Sequence, residues 1–459
     1  MQRHYAIFIV VTALASAGSV IAESLLSPAD EAIWRDEARR VVDSARLDPG
    51  QSSGKWRNGT SFVLHVPGGN MGYPAFWVRD AAMMLGGDFI TARELEGWIR
   101  LISSTILAED WMVRPGVLVP AFAVPDHINF DGKATYYPGN YETGAKQGGK
   151  PWGKFPPLDD HFYFLVMVHH QWKMTGSLAL MRSRVKIASG EVNLAELCEK
   201  VYHVAPSDPA TALVMAGDVD TDNAKDFGFC DAESKSGKLL FPSLLKYAAA
   251  SGLAEMFVAL GQEALASSYR TDVGLLKASI VRTFFHESRR TQDGQQSGEG
   301  WLHSATGVGA QPDVWGSAFA LWIGALEERV AQPVARALVR AYREKTAVRE
   351  GCVRQILTTD QTNRGGWQIS VSSIGEYQNG GYWGTPAGWY IAGMWRADRD
   401  AARNMARDYI QFLRTHKRAD DRPEAWEWFN PDTGRSANPL YVATVALPYL
   451  SLKQAGLLH

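Results

Sequence analysis

The stretch Pro423-Glu424-Ala425-Trp426-Glu427-Trp428-Phe429-Asn430-Pro431-Asp432-Thr433-Gly434-Arg435 holds two carboxylates, three aromatics and a Pro-Asp-Thr-Gly turn, and it runs into an apolar helix over 438–453. A carboxyl held among Trp and Phe at a helix entrance is partly desolvated, which raises its basicity. Rings beside carboxylates also suit a sugar, whose C–H face stacks on a ring while its hydroxyls bond the acids. The same residues also read as a tight turn over buried tryptophans, and the loop alone leaves both readings open.

Outward from this loop the chain repeats the pattern. A loop rich in Trp, Tyr, Asp and Gly leads into an apolar helix, and a short turn then leads into an amphipathic one. The other five entrances are Phe76-Trp77-Val78-Arg79-Asp80, Leu158-Asp159-Asp160-His161, Phe229-Cys230-Asp231, Pro312-Asp313-Val314-Trp315 and Gly380-Gly381-Tyr382-Trp383. Apolar helices are expected near 80–88, 160–174, 239–261, 313–327, 384–396 and 438–453, with amphipathic partners near 27–46, 91–107, 178–200, 262–286, 330–345 and 398–416. Helices apolar all round are buried and one-faced helices lie outside. Six of each, alternating, predict an all-α (α/α)6 toroid with little strand. The inner positions Met83, Val166, Leu244, Ala320, Ala392 and Val445 should be mostly buried, and the six loops should gather on one rim, as binding loops do on a rigid scaffold. Ser27 ahead of Pro28 and Asp30 reads as a helix start, and Thr91-Ala92-Arg93-Glu94 as a capping box. An open α-solenoid fits less well, because no repeat of fixed length is present.

The chain has 459 residues, 46% of them hydrophobic, enough for one large repeat-built domain. Its net charge of -2 gives no cationic excess for phosphate contacts, which argues against a nucleic-acid partner. Arg3 and His4 precede an apolar run, Tyr5 to Ala15, and Val20-Ile21-Ala22 supplies small residues at a cleavage site. A signal peptide over 1–22, cut after Ala22, is expected, and with it a secreted or periplasmic location. The run is too short and interrupted for a membrane span. The catalytic domain then spans 23–459, with an irregular rim or lid insertion at about 109–157, rich in Gly, Pro, Tyr and Trp. Cys198, Cys230 and Cys352 have neither a disulfide framework nor metal-ligand spacing, and which two, if any, are bridged stays open. His169 and His170 are adjacent on a helix and diverge, so no metal is expected. No cofactor is expected either. Asn58-Gly59-Thr60 fits a glycosylation acceptor.

Glycoside hydrolysis needs two carboxylates flanking the scissile bond, one protonated and one ionised. The loop acids are Asp80, Asp159, Asp160, Asp226, Asp231, Glu233, Asp313, Glu376, Glu424 and Glu427, and composition does not choose among them. Asp80 also reads as a helix cap, Asp231 as a cap or turn residue, Glu424 as a solvated loop acid, and Asp159 and Asp160 as caps.

Four segments resemble the six-hairpin glycosidases, a group that includes trehalase, the processing α-glucosidase I, neutral invertase and debranching glucosidases. Trp77-Val78-Arg79-Asp80 is similar to their Trp/Phe-x-Arg-Asp entrance. Phe229-Cys230-Asp231-Ala232 is similar to the acid loop of their third hairpin. Tyr377-Gln378-Asn379-Gly380-Gly381-Tyr382-Trp383 is similar to Tyr-His-Asn-Gly-Gly-x-Trp. Glu427-Trp428-Phe429-Asn430-Pro431-Asp432-Thr433-Gly434 is similar to Glu-x-Tyr-(Asp/Asn)-Pro-x-Thr-Gly. The resemblance runs from about Asn58 to the C-terminus. It implies Glu427 as the general base and Asp231 as the general acid. Beside the acid, Phe227, Phe229 and Cys230 are expected to exclude water and raise its pKa, and water with Arg435 or Arg422 is expected to keep the base ionised. It implies that Arg79 and Asp80 hold hydroxyls of the terminal sugar and that Asn379 and Trp383 form the pocket floor. Asp159 or Asp160 is expected to add a ligand-binding group, and Trp77, Trp383 and Trp428 to offer sugar platforms. One departure, Gly-Phe-Cys-Asp in the acid loop, leaves the substrate unassigned.

The reading is an exported inverting glycoside hydrolase that releases a terminal, α-linked sugar from an oligo- or polysaccharide. Two alternatives stand beside it. A polysaccharide lyase on a similar toroid would abstract a proton with Tyr or His, and a non-catalytic glycan-binding protein would lack turnover. Both acid positions are filled, which favours the hydrolase.

Overall fold

Local sequence fixes where the first hairpin begins. Ser27 caps α1 (Pro28–Ala45) by accepting from the Asp30 N–H, and Thr91 and Glu94 close a full capping box on α3 (Ala92–Thr105). The structure is a computed structural model describing residues 24–115, 117–136, 140, 157–216, 230–288 and 298–459. The signal segment, much of the rim insertion, and Asp226, Phe227 and Phe229 lie outside the described residues.

Among the described residues there are twelve helices. The outer set is α1, α3, α5 (Leu194–Tyr202), α7 (Glu263–Phe284), α9 (Glu328–Arg343) and α11 (Arg399–Thr415). The inner set is α2 (Val78–Ala82), α4 (Asp160–Thr175), α6 (Leu240–Ala259), α8 (Val314–Trp322), α10 (Ala387–Trp395) and α12 (Val442–Gln454). The inner helices pack in sequence, α2 on α4, α4 on α6, and so on to α10 on α12. The ring closes where Tyr441, just ahead of α12, bridges to Gly68 and donates its hydroxyl to Asp80 in α2. The amphipathic outer helices bury one face: α9 buries Val330, Val334, Ala337 and Leu338 and leaves Arg329 and Arg336 outside. The inner seams are tight. A Cβ on Gly388 would lie 2.5 Å from the Pro448 carbonyl oxygen, so the α10–α12 contact requires the missing side chain. No described helix is long and apolar enough to cross a membrane.

Three expectations need correction. The partner helix near 178–200 is shorter, because Arg184–Ile187 and Gly190–Asn193 form an antiparallel hairpin ahead of α5. Its alternation of exposed Arg184 and Lys186 with buried Val185 and Ile187 is a strand pattern. The inner helix near 80–88 stops at Ala82, just short of Gly86, whose missing Cβ leaves room for the Leu450 side chain. Strand is also more frequent than expected, as short antiparallel ribbons in the connections. One of them ties the insertion down: His127–Ile128 pairs with both Phe76–Trp77 and Ala134–Thr135. Met83, Leu244, Ala320 and Val445 are buried, but Val166 and Ala392 are only partly so, because they face a cavity described below. Cys198, Cys230 and Cys352 are all buried and unbridged.

Candidate active site

The start of α2, the segments ahead of α10 and α12, and the Asp231 loop ahead of α6 meet at a small cavity of about 50 Å³, lined by Pro67, Tyr73, Trp77, Arg79, Asp80, Asp231, Tyr377, Gln378, Trp383, Glu427 and Tyr441. It brings together Asp80, Asp231 and Glu427 from three separate loop entrances. The backbone around it is strained. Tyr377, Ala425, Asn438 and Leu440 all have positive φ, between 42° and 61°. Only Asn tolerates that region readily among these four, and such strain gathers at functional sites.

Glu427 is 3% exposed and precedes the Trp428–Asn430 strand. Tyr73 Oη lies 3.0 and 2.9 Å from its two oxygens and donates to the carboxylate, and Asn438 Nδ2 donates at 2.6 Å. The same Asn438 amide donates to Tyr73 Oη at 2.9 Å, so the phenol's lone pair is occupied and its proton points to Glu427. Burial pushes the Glu427 carboxyl up to about 8, against the pull of Asn438 and Tyr73. This corrects the expectation that water and a nearby arginine hold it ionised: Arg435 pairs with Glu376 and Arg422 with Asp420.

Asp231 is half-buried, with the Tyr377 hydroxyl 3.4 Å from its Oδ2. Its loop is pinned from both sides. The Ala232 N–H donates to Gln378 Oε1 at 2.8 Å, and Cys230 Sγ donates to Gln355 Oε1 at 2.8 Å. Asp80 accepts from the Tyr441 hydroxyl at 2.5 Å, and burial lifts its carboxyl to about 6. It lies within α2 rather than capping it. Burial first, then the carboxylates of the site, push the phenols of Tyr73, Tyr377 and Tyr441 well up, so all three remain proton donors.

The other expected residues divide. Arg79 lines the cavity but is clamped from behind by Asp159, Nε to Oδ2 at 2.5 Å and Nη2 to Oδ1 at 3.1 Å. Asp159 and Asp160 are fully buried and do not line the cavity. Neither caps α4 as expected: Asp159 stands at the cap position but bonds Arg79, and Asp160 lies inside the helix with no hydrogen-bond partner on either oxygen. Burial pushes Asp160 up, toward the neutral acid. Asn379 accepts from the Trp367 N–H at 2.7 Å and donates to the Ser372 carbonyl at 2.8 Å, so its amide serves the loop and not the cavity. Trp383 lines the cavity but is 1% exposed, edge-on to Trp315 at 5.5 Å, with its indole N–H donated to the Tyr377 carbonyl. Trp428 is buried outside the cavity, close against Gly381. Trp77 alone of the three is half-buried, and His127 stacks on it at 4.3 Å. Asn58 is fully buried and donates to the carbonyls of Leu47 and Phe62, so the folded chain does not present it for glycosylation.

Sequence reading missed Tyr73, Tyr377, Gln378, Asn438 and Tyr441 as site residues. Tyr377 and Gln378 stand beside the Asn379 it chose. Tyr441 immediately precedes the last inner helix, whereas Trp383 lies further ahead of α10. Among the described residues no three His, Cys, Asp or Glu converge as a metal-ligand set, and His161 is turned to accept from the Val124 N–H.

No protein-family model and no curated protein matches the chain. Solved structures do. A Streptococcus pneumoniae enzyme of a metal-independent α-mannosidase family, described in a non-productive complex with α-1,6-mannobiose, superposes with a TM-score of 0.54 at 11% identity, over 94% of this chain and 95% of that one. A glucoamylase from Saccharomycopsis fibuligera gives 0.52 at 11% identity, over 96% and 98%. At these identities the likeness establishes the fold alone, which this chain shares with that α-mannosidase and that glucoamylase.

Proposed function

We propose that this chain is an exported, inverting glycoside hydrolase that removes a terminal, α-linked sugar from an oligo- or polysaccharide, with Asp231 as general acid and Glu427 as general base. One observation carries the reading: Asp231 and Glu427, from the third and sixth hairpins, line the same small cavity together with Asp80. Asp231 gives its proton to the glycosidic oxygen as the bond to the anomeric carbon breaks. Glu427 takes a proton from the water whose oxygen bonds that carbon on the opposite face, and exchange with solvent restores both acids. Tyr73 and Asn438 fix the Glu427 carboxylate in place, while Arg79 and Asp80 bond hydroxyls of the terminal ring. The fold's solved relatives support a carbohydrate substrate, since one is described with a mannobiose and one as a glucoamylase.

Burial of Glu427 favours one second reading, the exchange of the two roles, because a carboxyl held near 8 is protonated at neutral pH. Its partners argue against the exchange, since Tyr73 and Asn438 both donate to the carboxylate. The test is a screen of aryl glycosides and oligosaccharides, with proton NMR of the fresh product. Inversion is expected, together with a fall in turnover of about 10²–10⁴-fold in Asp231→Asn and in Glu427→Gln. Glycosyl fluorides need no acid, so Asp231→Asn should keep turnover on them and Glu427→Gln should not; the reverse exchanges the roles. Retained configuration, or ultraviolet absorbance from an unsaturated uronate, would overturn the mechanism. N-terminal sequencing of the exported protein should begin at Glu23, and a retained Met1 would refute export by a cleaved signal.

A further inference from the structure

The inner ring holds a second, larger cavity, of about 680 Å³, at the other end of the barrel. All six inner helices contribute to its wall: Ala82 of α2, Val166 of α4, Gly252 of α6, Trp322 at the end of α8, Ala392 of α10 and Leu447 of α12. The carboxylates of the candidate active site stand at the opposite, N-terminal ends of these helices. Interiors are close-packed and keep few voids larger than a water molecule. An apolar space of this size with several aromatics on its wall falls in the range of small-molecule sites, about 300–1,000 Å³.

The wall also indicates what kind of molecule fits. Phe319, Trp322 and Trp389 form one aromatic cluster, with centroids 4.7 to 6.2 Å apart. The charged groups on the wall are already paired: Glu255 with His169 and Lys173, and Arg396 with Glu328. No charge is therefore offered to a ligand. Three lining residues keep a buried polar atom with no hydrogen-bond partner in the protein, namely His170 Nε2, Trp389 Nε1 and Ser451 Oγ. Ser251, Glu255 and Val273 also line an adjoining hollow of about 510 Å³ that reaches the exposed Val258, which supplies a route from solvent.

We propose that this cavity is a second binding site, distinct from the one that carries the carboxylates, for a neutral, apolar, ring-bearing molecule. The proposal does not depend on the glycosidase reading. The test uses the chain from Glu23 to His459 and N-phenyl-1-naphthylamine, an uncharged fluorescent probe. Saturable one-to-one binding at micromolar concentration is expected, weakened at least tenfold in both Ala392→Phe and Val166→Trp, which fill the space from two different helices. Absence of saturable binding overturns the proposal, as does undiminished binding in both filled variants. Should both variants fail to fold, crystals of the parent chain under xenon decide: xenon between Trp389 and Leu447 supports the site, and an empty cavity refutes it. A chain that retains residues 1–22 and binds no probe, where the Glu23 chain does, would assign the cavity to the chain's own leader and would also refute the proposal.

Discussion

Replacing Glu427 by Gln should change how stability depends on pH, and the structure gives the size. The carboxyl's ordinary value is 4.5, and burial holds it at about 8 in the folded protein. Below 4.5 folded and unfolded chains are both protonated there, so the group contributes no pH dependence. Between 4.5 and 8 the unfolded chain has released the proton and the folded chain has kept it, so stability falls as pH rises, by about 1.4 kcal/mol per pH unit. Above 8 both are ionised, and the accumulated loss is about 5 kcal/mol. Glu427→Gln lacks this slope. It should match or fall below the parent at pH 4.5, where the parent's carboxylic acid keeps Tyr73 and Asn438 bonded, and exceed it at pH 8. The assay is urea unfolding of both chains from pH 4.5 to 8.5, comparing stability at each pH. A difference that stays flat across the window would show that Glu427 ionises in the folded protein as it does in water, and would refute the argument from burial. The same value sets the activity profile under the proposed role: a general base at Glu427 must be ionised, so kcat/KM should climb toward a limb near 8 instead of levelling near 5.

Three further outcomes follow from neighbouring contacts. Tyr73→Phe removes the donor shared by both Glu427 oxygens, and a hydrogen bond to a charged group contributes about 1.5–3 kcal/mol; the kcat/KM limb should move about one pH unit or more alkaline, and an unmoved limb would separate Tyr73 from the base. Trp383→Ala should lower unfolding stability by about 3–5 kcal/mol, since a buried ring edge-on to Trp315 is lost; weaker substrate binding at parental stability would restore the platform role and refute the packing one. Asp159→Ala removes the two-point partner of the buried Arg79, and should cost about 3–5 kcal/mol in urea unfolding; a loss below 1 kcal/mol would mean that the other contacts of Arg79 suffice to hold it.

The hairpin order was legible because it rests on a contrast that sequence displays. Helices such as α6, apolar all round, alternate with one-faced helices such as α9. Caps at Ser27 and Thr91 were legible for the same local reason. The hairpin at Arg184–Asn193 was not, although its two-residue alternation is visible, because a helix was already expected there and a short ribbon competes poorly with that expectation. The central cavity was not legible at all. Val166 and Ala392 have the composition of packed positions, and whether six helices meet fully at an axis depends on side-chain volumes around the ring that no single segment reveals.

At the site, the residues that sequence singles out are those whose type implies chemistry, and the structure gathers some of them at one cavity and leaves others away from it. Asp80, Asp231 and Glu427 stood out as loop acids, and the structure brings all three to one cavity. Asp159 and Asp160 stood out for the same reason, yet they are sealed behind Arg79, where one neutralises the guanidinium and the other is pushed toward the neutral acid. Trp383 and Asn379 stood out as sugar-binding types, but in a ring of close-packed hairpins an indole or an amide at a loop base is taken up first by the loop itself, through Tyr377 and through Trp367 and Ser372. The tyrosines went unnoticed because Tyr is common in cores. What distinguishes Tyr73, Tyr377 and Tyr441 is that each hydroxyl reaches a different carboxylate: Glu427, Asp231 and Asp80 in turn. Burial raises the cost of ionising Asp80 and Glu427, and a phenol donor to each offsets part of that cost without adding a cation. For Asp80 and Glu427, lifted by burial to about 6 and about 8, the charged and neutral forms lie close in energy near neutral pH.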